Sequence, residues 1–258
     1  MLSKISEFQS KKNRSKIICL TAYSKNIAQI IDKHTDLILI GDSLGSVLYN
    51  FKSTRSVTLD MMIEHSKSAR QGISNSLMVV DMPYNTYNNP AQALKNCKKV
   101  MKLTKCDAVK LEGGLKIIKV VKLLVKNKIP VLGHLGILPQ FTKGKFKSKG
   151  KSAKERKEII RDSKLLQEAG AFSLVLECVE KKLSKEITNS VKIPTIGIGS
   201  SKNCDGQILV TDDILGLTES KIKFVKKFTN IKKIIASGVK KFKKEVKSNK
   251  YPTKKYSY

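Results

Sequence analysis

The chain has 258 residues and carries 51 Lys and Arg against 21 Asp and Glu, a formal charge of +30. Its 40% hydrophobic content supports a sizeable core, and no apolar run reaches the roughly 18 residues of a membrane span, which argues against a transmembrane protein. Five scattered cysteines without a CxxC pair argue against zinc and disulfide frameworks and fit reduced thiols in a cytoplasmic protein.

From the N-terminus, Met1 to Arg14 is polar and lysine-rich and lacks the apolar centre of a signal peptide. Short β-branched runs then alternate with longer amphipathic stretches, the pattern of βα units around a parallel sheet. The predicted strands are Ile17–Leu20, Leu37–Ile40, Leu77–Val80, Ala108–Leu111, Pro130–Leu132, Ser173–Leu176, Thr195–Ile198 and Gln207–Val210. The predicted helices between them include Ser24–Lys33, Leu59–Gly72, Pro90–Lys105, Leu115–Lys128, Ser152–Gly170 and Lys181–Ser190. Asn89-Pro90 opens one helix, and Gly170 closes another. Runs such as Leu37-Ile38-Leu39-Ile40 suit strands buried on both faces. Eight strands in a chain near the usual length of about 250, without a glycine-rich dinucleotide fingerprint, favour one α/β domain, a (β/α)8 TIM barrel. The segments outside the repeat are a basic loop at about 141–151, the natural lid, and a lysine-rich C-terminal tail at about 241–258.

Polar residues recur where the apolar runs end. Thr21 and Tyr23 follow the first strand, Gly41-Asp42-Ser43 the second, Asp81 the third, His134 the fifth, Glu177 the sixth and Gly199-Ser200 the seventh, while Lys110 and Glu112 flank the end of the fourth. In a (β/α)8 barrel these positions share the carboxyl rim, which carries the active site. Asp42 and Asp81, without His or Cys neighbours, suit a hard cation that keeps several waters, with Mg2+ as the default; each could instead cap a helix. Glu177, partly desolvated at a strand end, suits a general base, or else an ion pair with a lysine. Lys110 and Glu112 leave one face of a strand. Either they pair, or Lys110 holds an anionic substrate while Glu112 organises metal-bound water.

Six segments then fall into register with a known pattern. They are Gly41-Asp42-Ser43-Leu44-Gly45, Val80-Asp81-Met82-Pro83, Val109-Lys110-Leu111-Glu112-Gly113-Gly114, Gly133-His134-Leu135-Gly136-Ile137-Leu138-Pro139-Gln140, Leu176-Glu177-Cys178-Val179, and Ile196-Gly197-Ile198-Gly199 followed by Asp205-Gly206-Gln207-Ile208-Leu209-Val210. In order and spacing they resemble the 3-methyl-2-oxobutanoate hydroxymethyltransferase (ketopantoate hydroxymethyltransferase) family, from about Ile17 to Leu217. The resemblance implies transfer of a hydroxymethyl group from 5,10-methylenetetrahydrofolate to 3-methyl-2-oxobutanoate, giving 2-dehydropantoate in pantothenate biosynthesis. It implies Mg2+ on Asp42 and Asp81, with Glu112 among the metal residues as an outer group beside the metal waters. It implies substrate contacts from Asp42, Ser43, Asp81, Lys110 and His134, and Glu177 as the base. The implied partners are the small-molecule keto acid, the folate and further copies of the chain, since bacterial members are commonly decameric.

The chain departs from the family at Arg55-Ser56, Ser200-Ser201, Lys149 and Ser24, positions that leave the metal residues and the base intact. Three other readings stay open. One is a related Mg2+ and enolate barrel, a lyase or mutase acting on another small 2-keto acid. A second is a degenerate barrel kept as an interaction module, which intact Asp42, Asp81 and Glu177 oppose. A third is a nucleic-acid binder, invited by the charge. The 51 basic residues are 46 Lys and 5 Arg, spread along the chain, which fits a solvated surface and no nucleic-acid or membrane partner. The densest basic run, at 143–157, is also a natural attractor for an anionic folate tail.

Overall fold

The computed structural model describes residues 4–142 and 147–258. Helix α1 (Lys4–Ser10) precedes eight strands: β1 (Ile17–Thr21), β2 (Leu37–Ile40), β3 (Leu77–Asp81), β4 (Ala108–Glu112), β5 (Val131–Gly136), β6 (Ser173–Glu177), β7 (Thr195–Ile198) and β8 (Gly206–Leu209). Between them lie α2 (Lys25–Ile31), α3 (Leu44–Tyr49), α4 (Leu59–Arg70), α5 (Pro90–Thr104), α6 (Ile118–Lys126), α7 (Ala153–Glu168) and α8 (Lys181–Ser190). Two more, α9 (Thr211–Ile214) and α10 (Ile231–Lys247), follow the last strand. The strands pair parallel in chain order and β8 pairs back to β1, so the sheet closes as the predicted (β/α)8 TIM barrel. Helix starts are fixed by their own side chains: Asn89, Thr58 and Ser152 accept the N–H of Gln92, Met61 and Glu155 at the heads of α5, α4 and α7.

Every predicted strand is present. The fifth differs most: it continues to Gly136, so His134 lies within β5 and does not follow it. Two glycines, Gly133 and Gly136, dilute the β-branched signal that marks the other strands.

Strand alternation explains where the site falls. Ile17, Cys19, Leu37, Leu39, Leu77, Val79, Ala108, Leu132, Val175, Ile196 and Ile208 fill the barrel interior as one apolar cluster. Continuing the same parity toward the carboxyl ends gives Asp81 on β3, Lys110 and Glu112 on β4, His134 on β5 and Glu177 on β6. One inward face is thus apolar at the amino end and ionisable at the carboxyl end. The other face packs beneath the helices as a second, larger cluster that includes Ile38, Ile40, Val80, Val109 and Leu174.

The amino end is closed by α1. Phe8 is buried and meets the ring of Phe172 edge-on, with centroids 5.8 Å apart. Lys12 braces the same floor, donating to Asp205 Oδ2 at 2.8 Å and to the Thr188 carbonyl at 2.7 Å.

The chain divides into two compact units, Met1–Val210 and Thr211–Tyr258. The first contains the whole barrel. In the second, α10 reaches into the segment read as a lysine-rich tail. None of its side chains is buried, and Ile234, Ile235, Val239, Phe242 and Val246 are exposed. They recur at the spacing of one helical face among lysines.

Candidate active site at the barrel mouth

The two aspartates meet. Asp81 closes β3, and Asp42 lies two residues beyond β2; the Asp42 main-chain N–H donates to Asp81 Oδ2 at 3.0 Å. Gly41 permits this approach, because a Cβ there would stand 2.8 Å from Ser43 Oγ and 3.5 Å from Asp81 Oδ2. The other Asp81 oxygen accepts Lys110 Nζ at 2.7 Å, across the β3–β4 register that sets the two residues side by side. Ser43, at the head of α3, shares a 2.8 Å hydrogen bond with the Tyr23 hydroxyl.

On the opposite side stands a carboxylate–imidazole–carboxylate row. Glu112 is the register neighbour of His134. His134 Nδ1 lies 3.5 Å from Glu112 Oε1, and Nε2 lies 3.3 Å from Glu177 Oε2. Neither nitrogen makes a well-directed hydrogen bond, so charge attraction carries the contact. Gln140 and Tyr87 complete the cluster. Gln140 donates from its main-chain N–H to Glu112 Oε2 at 3.1 Å and from Nε2 to Asp42 Oδ2 at 2.8 Å. Neither stood out from its residue type; Gln140 merely ended one of the matching segments.

Burial and crowding set the protonation pattern. Burial, then the neighbouring charges of Asp81 and Glu112, push the Asp42 carboxyl well above the usual carboxylate range against the pull of Lys110 and Gln140. Burial also opposes ionisation of Glu112, but His134, Lys110 and the Gln140 N–H outweigh it and hold its pKa low. For His134, burial and Lys110 disfavour the cation, yet Glu112 and Glu177 prevail and raise the imidazole to about 9. Burial disfavours the charged form of Lys110 too; Asp81, Glu112 and Asp42 reverse that and raise it.

The carboxyl groups of Asp42, Asp81, Glu112 and Glu177 thus crowd round only two basic side chains, Lys110 and His134, and the raised pKa of Asp42 reflects that crowding. A divalent cation bound there would relieve it. Among the described residues, no three His, Cys, Asp or Glu side chains cluster so as to hold an ion by themselves. That suits Mg2+, which is commonly held by one or two carboxylates and takes its other oxygens from water and substrate. Asp42 and Asp81 fit as the protein ligands, with Glu112 behind them.

The structure therefore brings Asp42, Ser43, Asp81, Lys110, Glu112, His134 and Glu177 to one mouth. The far root of the predicted lid is tied to the turn after Glu177. Lys149 N–H donates to the Cys178 carbonyl at 2.9 Å, and Glu180 N–H donates to the Lys149 carbonyl at 2.8 Å. Lys143 and Lys145 of that segment lie outside the described residues. Of the departures, Arg55 donates to the Tyr84 hydroxyl at 2.5 Å and lies 4.2 Å from its ring centroid, and Tyr84 packs edge-on against exposed Phe141 at 5.6 Å. Ser200 is hydrogen-bonded to Ser184 at 2.5 Å.

Comparison with known proteins adds a second line. The family model for ketopantoate hydroxymethyltransferase matches residues 3–254. A 3-methyl-2-oxobutanoate hydroxymethyltransferase of Pelagibacter ubique (strain HTCC1062) is 64% identical over 258 residues, the full length of both chains. One of Anaplasma marginale (strain St. Maries) is 46% identical and covers all of this chain and 94% of its own. Among solved structures, 2,3-dimethylmalate lyase, a PEP mutase/isocitrate lyase superfamily member, superposes with a TM-score of 0.61 at 12% identity, covering 99% of this chain and 93% of that one. Phosphonopyruvate hydrolase gives 0.62 at 10% identity over 96% and 88%. These two likenesses carry the fold.

Proposed function

The chain belongs to the ketopantoate hydroxymethyltransferase family, and on that premise we propose how the cluster at its barrel mouth performs the reaction. The activity is transfer of a hydroxymethyl group to 3-methyl-2-oxobutanoate, giving 2-dehydropantoate in pantothenate biosynthesis. The one-carbon donor is 5,10-methylenetetrahydrofolate. Asp42 and Asp81 would hold Mg2+, with Glu112 as an outer group. When bound, the ion supplies Lewis-acid stabilisation of the negative charge that builds on the keto oxygen.

The chain's own residues do the rest. Lys110 and Ser43 hold the keto acid at the Asp42–Asp81 side. Glu177 removes the proton from the branched carbon, whose bonding pair attacks the folate-borne methylene carbon as that carbon's bond to the folate nitrogen breaks; water supplies the hydroxyl and tetrahydrofolate leaves. His134 holds the Glu177 carboxylate in place and lends it a counter-charge. Lys110 neutralises Asp81, so the metal side does not repel an anionic substrate. The enzyme works as a homo-oligomer in the cytoplasm. No helix among the described residues is long and apolar enough to cross a membrane.

The observation that carries this reading is the junction of Asp42 N–H and Asp81 Oδ2 at 3.0 Å, with Glu177 tied to the same cluster through His134 and Glu112. The test is formation of 2-dehydropantoate by the full chain after chelation and after Mg2+ is returned, compared with Asp81→Ala. Activity should depend on the ion and collapse in the variant; unaltered turnover by Asp81→Ala removes the metal assignment.

A further inference from the structure

Gln140 belongs to the run after β5 and is 1% exposed. All of its side-chain polar atoms are engaged. Nε2 donates to Asp42 Oδ2 at 2.8 Å and to the Met82 carbonyl at 2.9 Å, and Oε1 accepts the hydroxyl of buried Tyr87 at 2.5 Å. Its main-chain N–H goes to Glu112 Oε2 at 3.1 Å. The amide has one workable orientation. Turned over, its oxygen would face two acceptors, the Met82 carbonyl and the Asp42 carboxylate, and a buried clash of acceptors is costly.

Asp42 Oδ2 is therefore occupied by a protein donor. Asp81 accepts one donor on each oxygen, from Lys110 and from the Asp42 N–H, and each oxygen keeps a second lone pair for a cation. We infer that Gln140 is a positioning residue that makes Asp42 a one-oxygen ligand, leaving Oδ1 for the cation and biasing the mouth toward a small octahedral ion. This rests on the reading of Asp42 and Asp81 as metal ligands. The physical basis is the contrast between the two common hard cations. Mg2+ demands near-octahedral geometry at about 2.0–2.1 Å, whereas Ca2+ accepts six to eight oxygens and readily takes both oxygens of one carboxylate. An amide clamped to Oδ2 fixes the tilt of the carboxylate and so disfavours the second mode, which needs both oxygens turned equally to the ion. Because the same residue grips Glu112 through its main chain, it also keeps the outer carboxylate in register with the inner one, the task of groups that orient metal ligands.

The test uses the full chain with 3-methyl-2-oxobutanoate present and Mn2+ as the probe, its free fraction followed by electron paramagnetic resonance while Mg2+ or Ca2+ competes. In Gln140→Leu, Mn2+ affinity should fall by about tenfold or more. The competition ratio should also move toward Ca2+, because Asp42 is free to offer both oxygens. Gln140→Met, which keeps the length but has no donor for Asp42 and adds no charge, should move the ratio the same way and serves if the leucine variant does not fold. Asp42→Asn separates the premise from the inference. If Asp42→Asn binds Mn2+ as the parent does, Asp42 is not a ligand and the premise fails. If Asp42→Asn loses Mn2+ while both Gln140 variants keep the parent affinity and the parent Mg2+/Ca2+ ratio, the role given to Gln140 is wrong and the metal reading stands.

Discussion

Lys110 and Asp81 stand opposite each other across β3 and β4, and the ammonium lies 2.7 Å from the carboxylate with both side chains about 95% shielded from water. Two roles meet in this pair on the proposed mechanism: Lys110 balances the Asp81 carboxylate and would offer a cation to an anionic keto acid. Breaking a buried pair from one side costs about 3–5 kcal/mol, because the remaining charge is stranded. Lys110→Met is therefore expected to lose about that much stability in chelator, where no metal offsets Asp81, and to lose activity as well. Urea unfolding of parent and variant in EDTA checks it; equal midpoints would show that Asp81 does not depend on Lys110.

Glu177 is expected to act before the folate does. In Glu177→Gln the carboxylate proposed to take the proton from the branched carbon is gone, while the contacts proposed for Lys110 and Ser43 remain. Exchange of that carbon's hydrogen with deuterium oxide, followed by proton NMR with the keto acid alone, should slow by about 10²–10⁴-fold. Binding of the keto acid should change little. Exchange at the parent rate would assign the proton to another base.

Much of this was legible in the sequence for a physical reason. Strands buried on both faces must be continuously apolar, so Leu37–Ile40 and Leu77–Val80 announce themselves, and any ionisable residue ending such a run is conspicuous. Asp42, Asp81 and Glu177 stand out in this way. What the pattern hid had a local cause in each case. In α10 the lysines mask Ile234, Ile235, Val239, Phe242 and Val246, whose helical spacing shows only when the cations are set aside. In α1 only Ile5 and Phe8 mark an inward side. Gln140 has no signal beyond closing a matching segment, because an uncharged amide after Leu-Pro looks like any loop residue until its four partners are known.

Gly136 is a backbone constraint placed next to the base. Its φ is +99°, and a Cβ there would stand 2.2 Å from the carbonyl oxygen of Glu177 and 2.7 Å from Val179 Cγ2. A carbonyl in the β5–β6 ladder cannot swing away as a side chain would. Gly136→Ala is expected to shift the end of β6 and with it Glu177, lowering turnover by about 10²-fold, the usual cost of misplacing a catalytic group by about 1 Å. The melting temperature should fall by several degrees. Gly238→Ala is the control: nothing lies within 4 Å of its added methyl, and in mid-helix it should gain about 0.5–1 kcal/mol. Parent-like kinetics in Gly136→Ala would mean the β5–β6 edge is not what holds Glu177.

Away from the site, Asp32 gives the fold an acid-sensitive clasp. It follows α2 and is 4% exposed. Its oxygens accept the main-chain N–H groups of Ser74, Asn75 and Ser76 at 2.8–3.2 Å and the Asn75 side chain at 2.9 Å. Burial alone would raise its pKa, but these donors outweigh it and hold the carboxyl below its ordinary value. A carboxyl whose folded pKa is depressed contributes stability that is fully present above the unfolded pKa, about 3.9, and that disappears as pH falls through the folded value. Asp32→Asn leaves donors facing a donor. It is expected to lose about 1–3 kcal/mol at pH 7, and the gap between parent and variant should narrow as pH falls below about 4 towards the folded value, because the unfolded chain takes up the proton first and the native carboxylate last. Urea midpoints measured from pH 7 downward decide the matter. A gap that stays constant with pH would show that the Asp32 charge, as distinct from its shape, contributes nothing to the α2–β3 connection.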